Sequence, residues 1–265
     1  MRLLLKLTSD NSKQVSINSN YALSSAIYKL LKFSSPEFAT FLHETGYFAN
    51  EKVYKLFTFA INYESTELHN GCLNLKSPKA FLNISSPIVD GFVKNFVIGT
   101  FNLQRIEIYS EYIQTKFRID QAEFIPAPNF YDLMHFKLAS PIVLSTNRMN
   151  GTAKEKYYFR YDDDINELNR VFEKNLVNKY EAVHNKPYQG SGITLEWDND
   201  YIQQAIKKKK RLSKKVSILK EVNNPLDIIG IFCPFTLKGD VELMKIGYEC
   251  GFGENNSMGF GMVVA

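Results

Sequence analysis

One order of strand and helix patterns recurs on both sides of the stretch AEFIPAPNFYD, and it limits the possible folds more than any other feature of this chain. The opening MRLLLKL is apolar and suits a strand. In YALSSAIYKLLKF, residues Leu23, Ala26, Ile27, Leu30 and Leu31 fall at helical spacing and predict a buried stripe. A second short helix is expected next. Ser35 suits its N-cap and Pro36 its first turn, Phe38, Phe41 and Leu42 would form its apolar stripe, and Gly46 would stop it. KLFTFAINY, from Lys55 to Tyr63, is rich in aromatic and β-branched residues and predicts a strand, as do GCLNL and KAFLNIS. PIVDGFVKNFVIG predicts a helix from Pro87, and TFNLQRIEIYSEY a return to strand. After Pro126 and Pro128 the order repeats. HFKLASPIVLS is a strand and Ile165 to Val183 a long helix. GITLEW and the strand-rich stretch Val216 to Phe235 form a hairpin, DVELMKIGYEC a helix and MGFGMVV the last strand.

Each run reads βαββαβ, the arrangement of the ferredoxin-like fold. The expectation is an α+β protein of two tandem ferredoxin-like domains, residues 1–127 and 128–265, with a glycine-rich loop between the last helix and the last strand. The repeat is one of element order, without self-similarity of sequence, so a single mixed α+β domain would read the same way.

At 265 residues and 45% hydrophobic, the chain can bury a core of this size. Cys72, Cys233 and Cys250 are far apart and form no CxxC pair, which predicts reduced thiols in a cytoplasmic protein and no zinc site. MRLLLKL is too short for a leader, and no apolar run reaches a membrane-spanning length. The net charge is only +4, yet KKKKRLSKK concentrates cations at Lys207, Lys208, Lys210, Arg211, Lys214 and Lys215. Such a run suits a polyanion partner, with a solvated loop as the alternative.

The glycine-rich GYECGFGENNSMGFGMVVA ends the chain. A dinucleotide fingerprint needs strand, glycine loop and helix in that order, and here a helix precedes the loop and a strand follows it. No GK[ST] phosphate loop is present either. A loop with many glycines can form an anion-binding nest. Gly251, Gly253, Asn256, Ser257, Gly259 and Gly261 are therefore candidate contacts to a polyanion, and Phe252 and Phe260 candidate core anchors.

Among the four histidines, His69, His135 and His184 suit surface or capping positions. His43 lies off the apolar stripe of its short helix and in the last turn, where the helix dipole favours an imidazolium. Tyr28 lies off the stripe of its own helix, beside Ser24, Ser25 and Lys32. Lys55 alone reads as a solvated lysine at a strand start.

GYECGFGENNSMGFGMV resembles the C-terminal glycine signature of the CRISPR-associated endoribonucleases that cut precursor repeat RNA, the Cas-six family of the repeat-associated mysterious proteins. MRLLLKL, NYALSSAIYKLL, FATFLHE, YKLFTF and ASPIVL are also similar, so the resemblance spans nearly the whole chain. It implies two tandem ferredoxin-like domains and metal-independent cutting of CRISPR repeat RNA by 2′-OH attack, giving 2′,3′-cyclic phosphate and 5′-OH ends. It implies no cofactor. It also implies a catalytic trio in the first domain: Tyr28 in AIYKLL on the 2′-OH side, His43 in FLHE for proton transfer and Lys55 in KLFT for phosphate charge, with Lys52 competing for the last role. Which of Tyr28 and His43 is the base stays open, as do a homodimer and an interference complex as partners. A non-cleaving RNA-binding subunit of the same fold is the alternative.

Overall fold

The computed structural model describes residues 1–10, 12–110, 113–151, 153–218 and 226–264. In the first half the elements run β1 (Arg2–Ser9), β2 (Gln14–Ser16), α1 (Asn20–Ser34) and α2 (Pro36–Thr40). A π-helical turn (Phe41–Thr45) leads to β3 (Tyr47–Ala49), β4 (Lys52–Tyr54), β5 (Thr58–Tyr63), β6 (Thr66–His69), β7 (Cys72–Leu75) and β8 (Lys79–Ser85). A second π-helical turn (Val89–Val93) leads to α3 (Lys94–Leu103), β9 (Arg105–Ser110) and β10 (Ile113–Ile125). The main sheet has the order β5-β8-β1-β10-β9, with every neighbour antiparallel. Removing the edge strand β9 leaves the ferredoxin-like order. Leu3, Leu5 and Leu7 of β1 and Ile27, Leu30 and Leu31 of α1 close one core from the two sides.

The second half contains β11 (Leu133–Leu138), β12 (Ser145–Asn150), β13 (Ala153–Tyr158), α4 (Ile165–His184), β14 (Ile193–Trp197) and α5 (Asn199–Lys207). β15 (Ser213–Ile218), β16 (Leu226–Ile231), β17 (Phe235–Gly239), α6 (Val241–Cys250) and β18 (Val263–Val264) follow. Its sheet order, β14-β17-β11-β18, repeats that of the first half strand for strand. The fold is therefore the expected tandem ferredoxin-like one. Leu168, Phe172 and Leu176 of α4 pack with Leu195, Leu237 and Phe252 in a second core.

Several elements differ from the sequence expectation. Lys55 precedes its strand, because Lys52–Tyr54 pairs instead with Tyr47–Ala49 in a separate hairpin. Thr100 to Leu103 continue α3, and Gln104 in a left-handed conformation ends it before the β9 strand begins. Residues 111–112 of the expected strand lie outside the described residues. β14 pairs with β17, not with the stretch from Val216, whose strands β15 and β16 form an inserted hairpin of their own. Residues 219–225 of that stretch lie outside the described residues. Of MGFGMVV only Val263 and Val264 are strand; half-buried Met258 ends a 3-10 turn, and Gly259 to Met262 are buried without regular structure.

The halves are tied at both ends. Arg2 is buried and donates from Nη1 to the Val263 carbonyl at 2.6 Å and from Nη2 to the Tyr248 carbonyl at 3.1 Å. The β3–β4 hairpin of the first half docks on α4 of the second, where Asn50 donates to Asn178 and Glu181.

Candidate active site

Tyr28, His43 and Lys55 line one cavity of about 870 Å³ together with Ser24, Lys32 and Ser257. The polar face of α1, one helical turn apart at Ser24 and Tyr28, forms its wall. The short α2 with its π-turn forms the opposite side. Only Ala39 and Leu42 are buried there; Phe38 is half-buried and Phe41 exposed, because the π-turn rotates the later residues away from the expected stripe. His43 is exposed. Its ring meets that of Tyr28 edge to face, with centroids 5.5 Å apart. On its other side Tyr28 meets Phe57 at 5.8 Å. Tyr28 is thus half-buried, not exposed as its helix position suggested, and burial pushes its phenol well above the usual tyrosine range. Lys55 Nζ donates to the His43 carbonyl at 2.7 Å and caps the end of the π-turn. Partial burial lowers the Lys55 ammonium from its ordinary value.

A second cavity, about 510 Å³, lies between the halves and adjoins the first at Lys55 and Ser257. Lys52, Asn147 and Lys156 also line it, so Lys52 stands beside the trio and Lys55 within it. Lys156 lies 3.6 Å from Glu254. Among the described residues no three of His, Cys, Asp and Glu gather as a metal site would require.

The glycine-rich loop separates the two cavities, and its glycines face the protein itself. Gly251, Gly253, Gly259 and Gly261 are buried and all have positive φ. A Cβ on Gly253 would stand 2.3 Å from the Val143 carbonyl oxygen, and one on Gly261 1.9 Å from that of Phe252. Asn256, expected to donate to a polyanion, gives its amide to the Phe252 and Phe260 carbonyls. Phe252 and Phe260 are fully buried anchors, as expected. The part of the loop that lines the cavities runs from Gly253 to Met258. It is fastened to α1, where Ser24 Oγ donates to the Ser257 carbonyl at 2.7 Å and Asn20 Nδ2 to that of Met258 at 2.8 Å.

Beneath the loop sits a residue that the sequence reading missed. Lys179 of α4 is 2% exposed, and its Nζ donates to the carbonyls of Gly251 and Gly253 at 2.6 Å each. Burial pulls its pKa down to about 7. A signal existed: Lys179 continues the apolar row Leu168, Phe172 and Leu176 at helical spacing, where a charge is out of place.

The basic run is not part of this cluster. Lys207 ends α5, Lys208 caps it, and Arg211 is exposed beyond it. Lys210 donates to the Tyr201 hydroxyl, and Lys215 pairs with Asp227 at 2.5 Å. Lys214 lines a separate cleft with Asn20, Ser140 and Gly259, on a different side of the loop. His69, His135 and His184 are exposed and line neither cavity of the candidate site.

Comparison with known proteins places this geometry in a family. The family described as CRISPR associated protein Cas6, C-terminal, matches residues 125–265, and CRISPR-associated protein Cas6, N-terminal, matches residues 14–122. The chain is 31% identical to "CRISPR-associated endoribonuclease Cas6 1" of Methanocaldococcus jannaschii, over 100% of this chain and 92% of that protein. It is 27% identical to "CRISPR-associated endoribonuclease Cas6" of Pyrococcus furiosus, over 99% and 89%. The solved structure "CRISPR associated protein Cas6" superposes with a TM-score of 0.73 at 29% identity, over 100% of this chain and 98% of the other. No helix of the described residues is long and apolar enough to cross a membrane.

Proposed function

This chain belongs to the Cas6 family of CRISPR-associated proteins, and from that premise we propose that it is an endoribonuclease that cuts CRISPR precursor RNA within its repeats. The relatives matched over nearly their whole length are named CRISPR-associated endoribonucleases. The single observation that supports a cutting enzyme, as opposed to a binding subunit, is the convergence of Tyr28, His43 and Lys55 on one cavity. These three provide what self-cleavage of a ribose–phosphate linkage requires. The 2′-OH must lose a proton, the leaving 5′-oxygen must gain one, and the phosphorane oxygens need positive charge.

Imidazole is the side chain suited to moving a proton near neutral pH, which assigns to His43 the removal of the 2′-OH proton, while the leaving 5′-oxygen takes its proton from water. The Tyr28 phenol stays protonated across that range, because its surroundings desolvate it. It therefore acts as a neutral hydroxyl that orients the 2′-OH by hydrogen bonding, and not as a phenolate base. Lys55 supplies the charge. The reaction needs no divalent metal and leaves a 2′,3′-cyclic phosphate and a 5′-OH. The cavity between the halves and the cations of the run from Lys207 to Lys215 hold flanking RNA, the cations by phosphate contact without sequence choice.

The test is incubation with end-labelled repeat RNA in EDTA, followed by end-group analysis. A single cut with a cyclic phosphate supports the proposal. A cut that EDTA abolishes overturns the metal-independent step. Binding without any cut makes the chain a non-cleaving RNA-binding subunit.

A further inference from the structure

The β3–β4 hairpin has two unlike faces. Asn50 and Glu51, both with positive φ, form its tight turn. On one face Ala49 and Tyr54 are buried against Ile246 and Cys250. The Asn178 amide donates to the Tyr54 hydroxyl at 3.0 Å, which fixes that face on α4. On the other face Phe48 stands directly across the ladder from Val53. Phe48 is 69% exposed and Val53 52%. A single exposed apolar residue is ordinary, but a rigidly mounted pair of them is not.

Their surroundings say what covers them. Val53, across the ladder from Phe48, lines the cavity between the halves, and so do Lys55 and Lys156. The hairpin lies between Gly46, where the His43 turn ends, and Lys55, whose ammonium closes back on the His43 carbonyl. An apolar platform bordered by cations, and fixed to the catalytic turn, suits a ligand with flat apolar faces joined by anions. A single-stranded nucleic acid has that chemistry. Aromatic side chains stack on its bases while lysines meet its phosphates. An apolar protein surface would leave the Lys55 ammonium, whose internal acceptor is a neutral carbonyl, without an anion.

We propose that Phe48, backed by Val53, is a stacking platform for one unpaired base of the RNA next to the cut. The proposal rests on the endoribonuclease reading for the words "next to the cut", and on the hairpin alone for the stacking.

The experiment measures dissociation constants by fluorescence anisotropy with repeat RNA carrying a 2′-deoxy nucleotide at the mapped cut. If the wild type does not cut, unmodified RNA serves, so failure of the catalytic reading and of this one are separable. Phe48→Ala should weaken binding about tenfold, the scale of one base–aromatic stack. Phe48→Trp should bind like the wild type, and Phe48→Leu like Phe48→Ala. Replacing nucleotides one at a time by abasic residues should reveal one position that costs the wild type a similar factor and costs Phe48→Ala almost nothing. Because Phe48 is exposed, its variants should melt with the wild type. Unchanged affinity in Phe48→Ala overturns the proposal, and so does full binding by Phe48→Leu. Abasic penalties that are the same in both proteins also overturn it. A wild-type dimer that Phe48→Ala dissociates, with RNA affinity intact, would give the platform to a second copy of the chain instead.

Discussion

Lys55 Nζ donates to the main-chain carbonyl of His43 at 2.7 Å, so the cation of the candidate site is fastened to the turn that carries its imidazole. Lys52 lies three residues away in the neighbouring cavity and has no such link. The two lysines should therefore behave differently. Lys55→Ala should slow single-turnover cleavage by about 10²–10³, the scale of removing one group that stabilises transition-state charge. Lys52→Ala should change the rate less than tenfold and act mainly on affinity. The reverse ranking would give the phosphate role to Lys52.

His43 is exposed, and its ring meets that of the half-buried Tyr28 at the edge of the first core, so truncation should leave the fold intact. His43→Ala should lower the cleavage rate by about 10²–10⁴, as loss of a positioned proton-transfer group does. RNA affinity should change by less than about tenfold, or 1.4 kcal/mol. Equal losses in rate and affinity would make His43 a recognition residue.

Burial holds the Tyr28 phenol neutral beyond the usual tyrosine range. The pH–rate profile of the wild type should therefore show no ionisation of a tyrosine below about pH 10. Above that value the unfolded chain loses the phenolic proton while the folded chain keeps it, so stability should fall as pH rises. Tyr28→Phe should remove this part of the alkaline loss and slow cleavage without altering the neutral-pH arm of the profile. A tyrosine-dependent arm near neutrality would restore Tyr28 as the base.

The strand order and the helix stripes were readable because burial imposes periods of 2 and 3.6 on the sequence, as in β1 and α1. The site was readable only in part. Tyr28 and His43 stand off their stripes, which left them as candidates, but neither spacing shows that their rings meet. That contact depends on a π-turn, and Phe41 to Thr45 read as ordinary helix. The hairpin carrying Lys52 was invisible for another reason. Its strands have three residues each, too few for alternation to register. The glycines marked a loop that lines both cavities, but not what its own backbone packs against. An anion-binding nest was expected, and the groups these glycines approach are the main-chain carbonyls of Val143 and Phe252.

That packing makes Gly261 a sharp test. Its φ is +75°, and an added Cβ would meet the Phe252 carbonyl oxygen. Gly71 has the nearly identical φ of +74° with nothing within 4 Å, so it isolates the conformational cost. Gly71→Ala should cost about 1 kcal/mol in a denaturant melt. Gly261→Ala should cost at least about 2 kcal/mol more and slow cleavage, since Ser257 and Met258 would shift against α1. Equal costs at both positions would mean the loop yields freely.

Lys179 offers a test of charge within the fold. Lys179 Nζ gives two bonds, to the Gly251 and Gly253 carbonyls, as many as the two N–H groups of a neutral amine can make, and burial pulls the folded pKa to about 7. The facing titratable groups are the Cys250 thiol, itself pushed up to about 12, and Glu254. In the unfolded chain a lysine holds its proton to about pH 10.4. Between these values the unfolded chain binds one proton more than the folded chain. Stability from this group therefore rises with pH across that window, with a limiting slope of about 1.4 kcal/mol per pH unit. Lys179→Met removes the titration and leaves both carbonyls without a donor, so the variant should melt below the wild type at every pH. The gap should widen from pH 7 to pH 9, because only the wild type gains. Melting curves of the two proteins at several pH values measure it. A gap that stays constant across that range would show that Lys179 keeps its charge while buried, and that the loop rests on an ammonium and not on an amine.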